Sequence, residues 1–100
     1  MHTKQQPSHS KSIGILYSKN EVMKLKSLTM KQWIASYEES LAMILQRIAE
    51  LREAKMQPDI TSMVRDDYDI RLKVLREERD ELRRDIGDMK SYLRAWGESV

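Results

Sequence analysis

The stretch MKQWIASYEESLAMILQRIAEL, residues 30–51, places Met30, Ile34, Tyr37, Leu41, Ile44, Ile48 and Leu51 at alternating intervals of four and three. A second stretch, YDIRLKVLREERDELRRDIGDMKSYLRAW, residues 68–96, repeats the beat at Tyr68, Leu72, Leu75, Arg79, Leu82, Ile86, Met89, Leu93 and Trp96. Residues spaced this way fall on one stripe of an α-helix, the a/d seam of a heptad. Between the stretches lies Met56-Gln57-Pro58-Asp59-Ile60-Thr61. Pro58 has no N–H to donate and disfavours helical geometry at Gln57, so the helix ends there. Two seams joined by a short loop predict an all-α fold, an antiparallel helical hairpin with long coiled-coil helices over about 30–56 and 60–96.

Composition agrees. The chain of 100 residues has no Phe or Cys, three Gly and two Pro, and 34% of it is charged. A hairpin buries one stripe per helix, so its core is thin. Chains this small need additional burial, and without disulfides or a metal cluster association is the remaining source. The expectation is a homodimer or higher assembly, such as a four-helix bundle formed by two hairpins.

Working outward from the seams, residues 1–12 (Ser, Gln, His, Lys and Pro without a period) predict a disordered tail. Ile13-Gly14-Ile15-Leu16-Tyr17 is a short apolar run. Ser18-Lys19-Asn20-Glu21 matches a capping box, in which hydroxyl and carboxylate each bond an orphan backbone N–H. It predicts a short helix over 19–27 within a basic arm, residues 13–28. Thr29-Met30-Lys31-Gln32 repeats the pattern and predicts that Thr29 caps the first long helix, opening a hairpin over 29–97. Asp59 or Thr61 caps the second helix, and Gly97 ends it. Asp67 with Arg71, Asp69 with Lys73, and Asp80 with Arg84 are favourably ordered pairs along it. Folding symmetrically about Pro58-Asp59 sets Leu51 near Tyr68, Ile44 near Leu75, Tyr37 near Leu82 and Met30 near Met89. That register leaves Leu93 and Trp96 bare, and the short helix is expected to fold across them through Met23, Leu25 and Leu28.

Taking Ile34 and Leu72 as a positions, Trp33 falls at g, Leu45 at e, Ile70 at f and Val74 at c, all off the seam. They are the candidate self-association or partner interface, since contiguous apolar residues on an outer face mark a contact. Ile60, Met63 and Val64 continue that face toward the loop. Residues 1–31 carry Lys4, Lys11, Lys19, Lys24, Lys26 and Lys31 against the single acid Glu21. Lys19, Lys24, Lys26 and Lys31 form a candidate polyanion contact, sequence-independent and salt-sensitive because lysines meet phosphates rather than bases. The dense charge of residues 77–85 suits a solvated coiled-coil face. His2 and His9 stand alone in the tail. Nothing in the pattern assembles a nucleophile, metal or cofactor site, and a two-helix seam offers little concavity for catalysis.

The outline resembles the small helical-hairpin regulators of bacteria and their prophages. It lacks the Trp-x-Gly turn of the small secreted hairpins, since its turn reads Gln57-Pro58-Asp59 and Trp96-Gly97 lies at the far end. It also lacks the Ser-Gln-Glu-Leu-Asp signature of the sporulation phosphatases. No apolar run suits a signal peptide or a membrane span, which places the chain in the cytoplasm by expectation. The functional expectation is a non-enzymatic coiled-coil module, a small regulatory adaptor or assembly subunit whose partners are itself and another protein. Weak nucleic-acid contact through the basic arm is the alternative.

Arg79 is the charged residue on the second seam. A polar seam residue fixes register at some cost in stability, or else packs its stem and sends the guanidinium to water. The symmetric fold sets it beside Leu41, near Glu38. Arg79→Leu is expected to raise the denaturation midpoint, read by circular dichroism, whereas a large loss would show that an ion pair there holds the hairpin together.

Overall fold

The computed structural model describes residues 18–98. The tail and the Ile13–Tyr17 run lie outside the described residues, apart from Ser18 where the first helix is capped. Two helices pack against each other as an antiparallel hairpin: α1 spans Lys19–Lys55 and α2 spans Ser62–Ala95. At 1.5 Å per residue they are about 55 and 51 Å long.

Local chemistry sets both ends of each helix. The Ser18 hydroxyl accepts from the Glu21 N–H at 3.2 Å, and the Glu21 carboxylate accepts from the Ser18 N–H at 3.1 Å. Thr61 caps α2 by accepting from the Val64 N–H. At the end of α1 the Gln57 amide donates to the Glu53 carbonyl, satisfying one orphan acceptor before Pro58. α2 closes in a Schellman motif: the Glu98 N–H donates to Leu93 O and the Gly97 N–H to Arg94 O, each at 2.9 Å. Gly97 has φ of 84°, a left-handed conformation that L side chains adopt only under strain.

The expected break at Thr29 is absent. α1 runs straight through it as one helix, so no separate short helix folds across the open end. Thr29 Oγ1 donates back to the Leu25 carbonyl at 3.0 Å, the bond of a mid-helix threonine rather than a cap. The seam itself explains the continuity. Met23 and Ser27 extend the four-three spacing toward the N-terminus, and no Gly or Pro interrupts the chain between Ser18 and Gln57.

The register also differs from one folded symmetrically about Pro58. Lys55 pairs with Asp69 and Glu38 with Lys90, while Ile34, Ile86 and Leu93 form the core with Met30, Leu41, Met89 and Trp96 against them. These contacts fit one alignment, in which the apolar seams match end to end. Leu51 then lies level with Leu72, Ile44 with Arg79, Ile34 with Met89, and Ser27 with Trp96. This is about one helical turn from the symmetric register. The offset follows from Arg65, which takes an a position and leaves the first turns of α2 without an apolar seam. Every residue from Thr61 to Asp67 is exposed, so those turns run past the end of α1.

Leu72 and Leu93 are the most deeply buried side chains, at 2% and 1% exposure, and Ile34, Ile48 and Ile86 complete the interior. Each contributes about 1.5–3 kcal/mol of burial. Ser27 is buried too, at 4%.

Replacing Ser18 by Ala is expected to cost about 1 kcal/mol, as loss of an N-cap does. Thr29→Ala is expected to be neutral or stabilising by a few tenths of a kcal/mol, because Ala is the better helix former inside a helix. Urea denaturation of both variants tests the continuity of α1.

Candidate interaction surface

The heptad positions flanking the seam divide the hairpin into two broad faces. On one, built from e positions, α1 contributes Lys31, Glu38, Leu45 and Arg52, and α2 contributes Asp69, Arg76, Arg83 and Lys90. Among the described residues, all inter-helix ion pairs lie on this face: Lys31–Glu98 at 2.8 Å, Glu38–Lys90 at 3.3 Å, and Lys55–Asp69. Toward the loop it carries a basic groove in which Arg52, Arg65 and Arg76 surround Leu72.

The other face, built from g positions and their outer neighbours, holds no inter-helix ion pair among the described residues. It carries two apolar grooves instead. The groove nearer the loop is floored by Leu51, Ile70, Val74 and Leu75 and bordered by Arg47 and Arg71. The groove nearer the open end is formed by Met30, Trp33, Tyr37, Met89 and Tyr92 and bordered by Asp85 and Asp88. Past it, Trp33 and Trp96 line a further cleft with Val22, Leu25, Lys26 and Thr29. Trp33 is 55% exposed, Tyr92 57%, Ile70 64% and Val74 51%, high values for side chains of this size and polarity.

The residues expected at an interface therefore separate. Ile70 and Val74 share one groove, and Trp33 lies on the same face two heptads away in the second. Leu45 belongs to the opposite, ion-paired face. Tyr37, Arg47, Arg71, Asp85 and Tyr92 join the surface without having been singled out from sequence. Tyr92 had a legible signal: it occupies g on α2 as Trp33 does on α1, and g positions meet across an antiparallel seam.

The expected Arg79–Glu38 pair does not form. Arg79 Nε bonds Asp80 at 2.9 Å, with the side chain 27% exposed, and Glu38 turns to Lys90. The one-turn offset puts Arg79 level with Ile44, where its stem packs and its guanidinium reaches the rim. Of the expected pairs along α2, Asp67–Arg71 forms at 2.8 Å, while Asp69 is engaged by Lys55 and Asp80 by Arg79.

The lysines do not gather. Lys24 and Lys31 sit at e, Lys19 and Lys26 at g, so the set divides between the two faces, and Lys31 is bonded to Glu98. The Lys31 ammonium holds the Glu98 carboxyl below the usual carboxylate range, first by its hydrogen bond and then by its charge, with Ser27 adding to the effect. Among the described residues, no group of three His, Cys, Asp or Glu side chains is placed to hold a metal ion, and no helix is long and apolar enough to cross a membrane.

In comparisons with known proteins, no family model, no curated sequence and no solved structure matches this chain.

A lowered Glu98 pKa means that the folded state binds its proton less readily than the unfolded chain. The pair's contribution is therefore present at neutral pH and lost as pH falls through that lowered value. In an NMR titration of the side-chain carboxyl, Glu98 is expected to titrate below the usual carboxylate range, and Lys31→Met is expected to return it toward that range.

Proposed function

We propose that the protein is a non-enzymatic coiled-coil interaction module, a small adaptor or assembly subunit that works by self-association and by contact with another protein. The observation that carries this reading is the sorting of chemistry between the two faces. Ion pairs lace the e face, where exposed charge is compatible with water. The g face keeps two apolar grooves and the aromatic side chains of Trp33 and Tyr92. A hairpin whose interior is one thin stripe has little to gain from exposing such a face, and burying it against further helices produces the bundle that suits two hairpins. Cytoplasmic residence and an origin among bacterial or phage regulators belong to the same reading.

Nucleic-acid association through Lys19, Lys24, Lys26 and Lys31 has weaker support. The four lysines face two directions, and the Lys31 ammonium is already committed to a carboxylate.

Light scattering coupled to size exclusion is expected to give a mass that is a multiple of 11.8 kDa. Ile70→Glu with Val74→Glu is expected to yield a helical monomer, whereas Leu45→Glu on the opposite face is expected to leave the assembly intact. A wild-type monomer that recovers no stoichiometric protein in affinity capture would contradict the proposal.

A further inference from the structure

The groove at the open end of the g face combines aromatic rings with carboxylates and is lined by no cation. Resting on the reading that the module contacts another protein, we propose that this groove binds an arginine side chain presented by that partner.

Its two walls are continuous rows on their helices. Trp33 and Tyr37 are four residues apart on α1, and Asp85, Asp88 and Tyr92 follow at intervals of three and four on α2. Those spacings make neighbours on one helix surface. The matched seams set Tyr37 level with Ile86, beside Asp85, and set Trp33 about 3 Å along the axis from Tyr92. Each aromatic side chain therefore faces the opposite wall across a floor of Met30 and Met89. The groove holds about 330 Å³, room for one side chain and its immediate neighbours rather than a large cofactor.

Chemistry selects a cation. Asp85 is half-buried and Asp88 exposed, and neither forms an ion pair among the described residues. The nearest lysines do not supply one: Lys90 turns to Glu38 on the opposite face, and Lys26 lines the next cleft. Aromatic rings attract a cation to their faces, and carboxylates attract it by charge and hydrogen bonding. Arginine suits the groove better than lysine does. Its planar guanidinium stacks on an aromatic ring, sheds water more readily than an ammonium, and presents a fork of N–H donors to carboxylates. Its aliphatic stem matches the methionine floor. The groove nearer the loop is bordered by Arg47 and Arg71 and repels the same ligand, so the two grooves of this face take different chemistry.

The test is a titration with a blocked Gly-Arg-Gly peptide, read at the Trp33 indole N–H by NMR. It is run on the wild type and on the Ile70→Glu, Val74→Glu variant. Saturable binding is expected in both. Replacing the peptide's arginine by citrulline, which keeps the shape and removes the charge, is expected to weaken binding roughly tenfold. The lysine peptide is expected to bind more weakly than the arginine peptide. Asp85→Asn with Asp88→Asn is expected to cause a similar roughly tenfold loss, with helicity by circular dichroism unchanged. Glu39→Gln with Glu53→Gln, on the outer surface of α1, is expected to change nothing. Citrulline binding as tightly as arginine, or an equal loss from the outer pair, would overturn the site. Lysine binding as tightly as arginine would overturn the choice of arginine. Binding by the Ile70→Glu, Val74→Glu variant alone would mean that a second copy fills the groove in the assembly, and would overturn a partner protein as its occupant. No saturable shift in either form would overturn the site and leave self-association, read separately by mass, standing. A wild-type monomer that binds the arginine peptide would remove self-association and keep the site.

Discussion

Burial of a single apolar stripe on each of two helices is the constraint on which this structure depends. Neither helix has a second apolar stripe wide enough to make a core of its own, so the matching of one seam to the other decides where every remaining side chain goes. Aligning the seams end to end maximises the length over which apolar layers meet. It also sends the first turns of α2 past the end of α1, because Arg65 contributes nothing to an apolar layer. The loop adapts to that outcome and does not impose it.

From the same alignment comes the division of labour between the two faces. Once Leu51 is level with Leu72, the e positions bring Glu38 to Lys90, Lys55 reaches from an a position to Asp69 at e, and the Schellman turn at Gly97 returns Glu98 to Lys31. The g positions bring together Trp33 and Tyr92, side chains that no ion pair can satisfy. Exposed ion pairs contribute little each, on the order of 0–1 kcal/mol, so the e face does little to stabilise the hairpin. It leaves one face charged in water while the other keeps its apolar area exposed.

Much of this was legible in the residues. The four-three beat, the capping box at Ser18 and the stop at Gly97 each read correctly because each is a local pattern with a local cause, and Thr61 is one of the two caps, with Asp59, that the residues offered. Thr29 misread because its Thr-x-x-Gln pattern also occurs inside helices, and only the continuing seam at Met23 and Ser27 distinguishes the two. A serine at a seam position hides that continuity from any count of apolar residues. The register misread for a different reason: a fold symmetric about Pro58 treats the loop as the fixed point, whereas the seams are. Of the candidate interface, Ile70, Val74 and Trp33 were visible as off-seam apolar residues. Leu45 was indistinguishable from them until the register showed that e and g positions look in opposite directions. The partners Tyr92, Arg47 and Asp85 required both helices in place, since none stands out along its own strand of sequence.

The most direct measurement is a pair of spin-label distances in a chain that supplies no cysteine of its own. Labels at Glu38→Cys and Lys90→Cys, and separately at Glu38→Cys and Arg76→Cys, all e positions of one face and diluted with unlabelled protein, report the register within one hairpin by electron–electron double resonance. End-to-end matching of the seams predicts the shorter distance for positions 38 and 90, which are bonded across the e face. A shorter distance for positions 38 and 76, which a fold symmetric about Pro58 brings nearer to level than 38 and 90, would contradict it.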